Sequence, residues 1–135
     1  MSFDLKEYLV LAEEIIKLKQ ACKGEDNAYL RCSLSRAYYS VFCIARNMKG
    51  EWLRNYKPTE EEGYKSIHTK VLETYRDSEQ QFDNDIYEHL RWLKTWRENA
   101  DYRERTLITR KWAEDGIIRA KECLEILLYE YGDNY

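Results

Sequence analysis

Apolar residues recur along this chain at steps of three and four, and almost nowhere at steps of two. That period belongs to an α-helix with one buried face, whereas a half-buried strand alternates. One proline, five glycines and no valine–threonine alternation leave little room for strands. The spacing predicts a first helix from about Phe3 to Cys22, with Leu5, Tyr8, Leu9, Ala12, Ile15 and Ile16 on one stripe and lysines and glutamates opposite. Gly24 is its natural stop. A second helix is expected over about Asp26 to Lys49. There Leu30, Leu34, Ala37, Val41, Ile44 and Met48 form a bundle seam. Tyr38, Phe42 and Ala45 widen it, so this helix should be buried on most sides, and Cys32, Ser33 and Ser40 are small enough to let neighbours come close.

Gly50 to Tyr64 has no clean period, holds Pro58, Gly63 and the acidic run Glu60–Glu62, and reads as a long excursion tucked down by Trp52 and Tyr56. Loops of that length in a compact domain are uncommon and often functional. A short third helix follows from about Ser66 to Arg76 on Ile67, Val71, Leu72 and Tyr75. A fourth, about Glu79 to Asn99, turns Phe82, Ile86, Leu90, Leu93 and Trp96 inward. "NADYRERT" breaks the pattern before a fifth, about Leu107 to Tyr131, whose stripe is Ile108, Trp112, Ile117, Ala120, Leu124, Leu127 and Leu128. The expectation is an all-α fold: an antiparallel four-helix up-and-down bundle with one additional short helix, a single domain over residues 1–135 without internal repeats.

Composition changes this picture little: 135 residues with 44% hydrophobic and 35% charged positions suit one core with a solvated surface. The net charge of −3 does not by itself direct the protein to nucleic acid. Its distribution is more informative. Residues 91–111 carry seven Lys/Arg against three Asp/Glu, or +4. Residues 71–90 carry one against six, or −5, and 112–135 two against six, or −4. An anion-binding surface would therefore use residues 91–111; otherwise this run is a solvated face. The four cysteines form no CxxC pair, and with only His68 and His89 beside them no metal site and no cofactor is expected. The longest apolar stretch, Ala37 to Ala45, is too short to span a bilayer, and the N-terminus has acids where a secretion signal has bases. A cytoplasmic protein with no membrane partner is expected.

The chemistry concentrates in two places. At 100° per residue Arg36, Tyr39 and Cys43 share one face of the second helix, with Arg46 near its end, about 15 Å further along the axis. A buried arginine is costly unless paired or bound to an anion. Two readings stay open. Arg36 pairs with Asp101 or another acid while Arg46 reaches out to solvent, or the face opens onto a cleft where guanidinium forks hold phosphate. The second place is "TWRENADYRERT" (95–106): Arg97 ends a helix, Asp101 can cap the following turn, and Tyr102 offers a hydroxyl. Its plainer reading is an interhelical turn with Arg97 bonded to Asp101. Arg103, Arg105, Arg110 and Lys111 make a basic margin beside it. His68 and His89 are each a possible acid or base, but neither has a sequence-local nucleophile, and no Ser-His-Asp, P-loop, HExxH or Rossmann pattern is present.

"SRAYYSVFCIARNM", His68 in "SIHTKV" and "WRENADYRE" together resemble the small stand-alone prokaryotic members of the HEPN family, named for nucleotide binding in higher eukaryotes and prokaryotes. The resemblance spans residues 33–104, and the helical layout fits the whole chain. It implies a homodimer whose interprotomer cleft meets RNA or nucleotide phosphates, and a role in toxin–antitoxin or stress and defence systems beside a nucleotidyltransferase-type antitoxin. It places Arg36, Tyr39, Cys43, Arg46, Arg97, Asp101 and Tyr102 at the phosphate- or RNA-binding face. Active members are metal-independent endoribonucleases that carry His a few residues after Arg. Arginine stabilises charge on the phosphorane and histidine moves the 2′-hydroxyl proton. Here the window after Arg36 holds Val41, Phe42 and Cys43, so no histidine falls in it. The expectation is a binding module with a degenerate ribonuclease motif. The alternatives are an endoribonuclease using Arg36 with His68, and a purely structural bundle.

Overall fold

The computed structural model describes residues 4–17, 28–61, 63, 65–133 and 135. Among these there are six helices and no strand: α1 (Glu7–Ile16), α2 (Ala28–Met48), α3 (Glu51–Arg54), α4 (Ile67–Arg76), α5 (Gln81–Tyr102) and α6 (Arg110–Tyr131). The expected start of the first helix at Phe3, its end at Cys22 with the stop at Gly24, and the second helix's start at Asp26 lie outside the described residues.

α2 is the axis of the molecule and packs against all five other helices. Its small residues explain how. Ser33 and Ser40 are fully buried and donate to the Ala12 and Leu5 carbonyls, at 2.8 and 2.9 Å, so α1 runs antiparallel along α2. Each hydroxyl meets a carbonyl instead of water, which removes the cost of burying it. Cys32, grouped with these serines in the sequence pattern, is exposed. α5 also opposes α2: Ser35 reaches Asp101 near one end and Lys49 reaches Asp83 at the other. α6 runs alongside α2 with Gly116 against Leu34, and its end returns to Asp83 through Tyr131. One continuous core draws Leu9, Leu34, Leu53, Val71, Ile86 and Ile117 from the six helices.

Three local departures from the sequence reading have physical causes. Within the Gly50–Tyr64 excursion lies α3, too short to show a period, entered through Gly50 at φ 106°. It is anchored by Leu53, fully buried, while Trp52 stays 56% exposed. α5 runs on past Asn99 to Tyr102, so Asp101 lies inside a helix instead of capping a turn. The cause is Arg31, which the sequence pattern did not single out: its guanidinium donates to the carbonyls of Asn99, Ala100, Arg103 and Thr106, at 3.1, 2.9, 3.2 and 2.6 Å. It satisfies the carbonyls a helix end leaves open. Finally, the outer residues of the last stripe, Trp112, Leu124 and Leu128, are only half-buried, and Ala113, Gly116 and Cys123 fill the interior. Gly116 is needed there because an added Cβ would stand 2.5 Å from Leu34 Cδ2.

Candidate functional site

Tyr38 and Tyr39 point in different directions from α2, one into the core and one to the surface, and divide the expected site in two. Tyr39 is 40% exposed and meets Tyr8 of α1 edge-on at 5.7 Å. Arg36 lies over both rings, 5.8 Å from each centroid. Among the described residues no carboxylate pairs with it, and its Nε is buried without a hydrogen-bond partner. Of the two readings left open for Arg36, the pairing with Asp101 does not occur. Asp101 accepts from Ser35 at 3.2 Å and stands 3.8 Å from Arg97.

Tyr38 faces inward and is fully buried. Its hydroxyl shares a 2.7 Å hydrogen bond with His68 Nδ1 at the start of α4, and Ser66, accepting from the Thr69 amide, caps the turn that presents this histidine. The imidazole stacks on Phe42 at 4.2 Å. Over the Tyr38 ring lies Arg97, 5.2 Å from its centroid and 5.7 Å from that of Tyr102, with a long 3.4 Å hydrogen bond to the Tyr102 hydroxyl. Arg97 Nε, like that of Arg36, is buried without a partner. The plain reading of this segment, Arg97 tied to Asp101, is met only by the 3.8 Å approach. Tyr102 is 72% exposed at the margin.

Arg46 closes the far side, its guanidinium 5.9 Å over Phe42 and its Nε donating to Asn47 Oδ1, which also accepts from Arg54 of α3. Cys43 is nearly fully buried, and burial pushes its thiol up, against the opposing pull of Arg46. It is an inert core thiol. Burial first, then the positive charges of Arg97 and Lys94, pushes His68 down to about 4. The ring is therefore neutral at ordinary pH. The cations acting on it are Arg97, Lys94 and Arg46.

Arg36 and Arg97 thus stack on separate tyrosine pairs, linked through Tyr39, Phe42, His68 and Tyr38 in ring-to-ring contact. Lys94, Arg54 and Ser35 belong to the same neighbourhood and were not singled out in the sequence, and Phe42 was read there only as a core residue. The cue for Lys94 was its place one turn before Arg97. Of the basic margin, Arg110 is engaged by Glu114 and the Ile16 carbonyl, and Lys111 by Asp115. Among the described residues no cluster of three metal-ligating side chains occurs, and no helix is long and apolar enough to cross a membrane. Compared with protein-family models, with curated proteins and with solved structures, the chain matches none.

Proposed function

We propose that this chain is a HEPN-like module, a four-helix bundle of α1, α2, α5 and α6 with α3 and α4 appended, that binds RNA or a nucleotide through the arginines of its α2 face. One observation carries the reading. Arg36 is a part-buried guanidinium framed by two tyrosine rings, with an orphaned Nε and, among the described residues, no paired carboxylate. A structural arginine at such a position is ordinarily paired, because removing its charge from water is otherwise uncompensated. Phosphate supplies the missing anion, and exposed tyrosine faces suit unstacked bases. Arg46, Arg97 and Tyr102 extend the surface. On the strength of the resemblance the active form is a homodimer, and a nucleotidyltransferase-type antitoxin is the partner to seek.

His68 favours a second reading, a metal-independent endoribonuclease, because Tyr38 and Phe42 hold its ring in one orientation amid three cations. Its low pKa argues for binding over cleavage. A ring near 4 is deprotonated at neutral pH but a weak base, and it holds no proton to return to the leaving oxygen. The test is fluorescence anisotropy with a short labelled single-stranded RNA, alongside a cleavage assay on structured RNA. Arg36→Met and Arg97→Met should each weaken binding about tenfold, the size of one charge-assisted contact, and each lower the salt slope by about one. Wild-type affinity in both variants sinks the binding reading. RNA cleavage lost in both His68→Ala and Arg36→Ala replaces it with the nuclease.

A further inference from the structure

The seam between α5 and α6 carries a second set of polar atoms, on residues other than those stacked around Arg36 and Arg97. Trp96 and Trp112 stack there at 4.0 Å, and Trp92 lies 6.0 Å from each. On the solvent side a concavity of about 430 Å³ is lined by His89, Trp92, Trp112, Asp115, Arg119 and Glu122. A second of about 240 Å³ shares Trp92 and Arg119 with it and continues towards Trp96. The larger is within the size range of small-molecule sites.

Its polar groups are only partly engaged within the chain. The Arg119 guanidinium lies 5.2 Å over the Trp92 ring, and among the described residues no carboxylate or carbonyl takes up its donors. His89 is mostly buried and its Nδ1 has no hydrogen-bond partner, while Nε2 stands 3.8 Å from Glu122. Burial, then the charge of Arg119, holds His89 below its ordinary value, which leaves a neutral ring with hydrogen-bonding capacity to spare. Lys111 engages Asp115 at 3.1 Å. Glu122, one turn after Arg119 on α6, keeps acceptor capacity beyond its 3.8 Å approach to His89.

We infer that this seam is a binding site for a planar, uncharged heteroaromatic ring of the guanine type. Each feature selects against a simpler ligand. A net anion would meet Arg119 but also the carboxylates of Asp115 and Glu122. A cation would meet Arg119 itself. A purely apolar ring would leave Arg119 and His89 unmatched. A guanine ring carries paired acceptors on one edge, the pattern an arginine fork reads, and N–H donors on the next, which a carboxylate accepts. The indole rows give its face a stacking surface.

Guanosine is the probe. Titrated into the whole chain, it should quench tryptophan fluorescence saturably, with adenosine and benzoate binding more weakly, and calorimetry should give the same ranking. Arg119→Met and Glu122→Gln should each weaken guanosine about tenfold while leaving the circular dichroism unchanged. Arg36→Met and Arg97→Met, which alter the α2 face, should leave guanosine binding as it is. The two sites therefore fail independently. Absence of saturable quenching overturns the assignment. So does an unchanged affinity in both Arg119→Met and Glu122→Gln, or tighter binding of benzoate than of guanosine.

Discussion

Two cations on and beside α2 lie over pairs of tyrosine rings, and only one of them has its charge matched. Lys49, just past the end of the helix, sits over Tyr75 and Tyr131 at 4.7 and 5.2 Å and donates to Asp83 at 2.8 Å. Asp83 is almost completely buried and also accepts from Ser78 at 2.6 Å and Tyr131 at 2.5 Å. Burial alone would raise its carboxyl, but the bonds from Lys49, Ser78 and Tyr131 outweigh it and hold the group below the usual range. Arg36, three turns earlier, has the same aromatic frame, an orphaned Nε and, among the described residues, no acid. One chain thus handles a cation over tyrosines in two ways. The closed cluster joins α2, α5 and α6 and is part of the fold. The open one leaves its charge to be matched from outside.

The contrast breaks first at Asp83. Asp83→Ala strands Lys49 among aromatic rings and should cost about 3 kcal/mol in urea unfolding, as expected when one partner of a buried pair is removed. A cost under about 1 kcal/mol would show that the closed cluster is no keystone.

Acidity separates the clusters next. In the folded chain His68 takes up its proton only near 4, against 6.5 for an ordinary histidine. Between those values the unfolded chain binds more protons, so stability falls as pH drops from 6.5 towards 4 and levels off below. Allowing for partial solvent access, the loss should be on the order of 2 kcal/mol, and His68→Gln should flatten it. Asp83 acts in the opposite part of the scale: its contribution is intact above 3.8 and is lost only in stronger acid. A single limb, unaltered by His68→Gln, would contradict this division.

Smaller still, Tyr131→Phe should cost about 1.5 kcal/mol, because its hydroxyl serves a charged acceptor, and Tyr38→Phe about 1 kcal/mol, because its partner is neutral. Arg36→Met comes last: thermal unfolding should move by less than about 0.5 kcal/mol, or rise, while RNA affinity falls. A loss as large as that of Asp83→Ala would make Arg36 a structural tie and remove the contrast.

The sequence exposed what depends on period and concealed what depends on partners. The ends of α4 and the last residue of α6 follow from Ser66, Arg76 and Tyr131, and the buried positions of α2 from steps of three and four. Asp83 was invisible as a core residue, because its burial rests on Lys49 and Tyr131, distant along the chain. The expected segment 91–111 does supply cations to the candidate site, through Lys94 and Arg97, but Arg110 and Lys111 are spent on acids one turn away. In the "YY" pair the period separated Tyr38 on the seam from Tyr39 on the Arg36 face, but not the partners: Tyr38 serves His68 and Arg97 and Tyr39 serves Arg36. No local rule reveals that a tyrosine's neighbour thirty residues on is a histidine.

Arg31 has a consequence of its own. The bonds from Arg31 to Asn99, Ala100, Arg103 and Thr106 are to main-chain oxygens, so these bonds do not depend on which side chains that turn carries. Arg103, Glu104 and Arg105 can be exchanged, and the charge displayed at this end of the molecule retuned, without loosening the anchorage beneath.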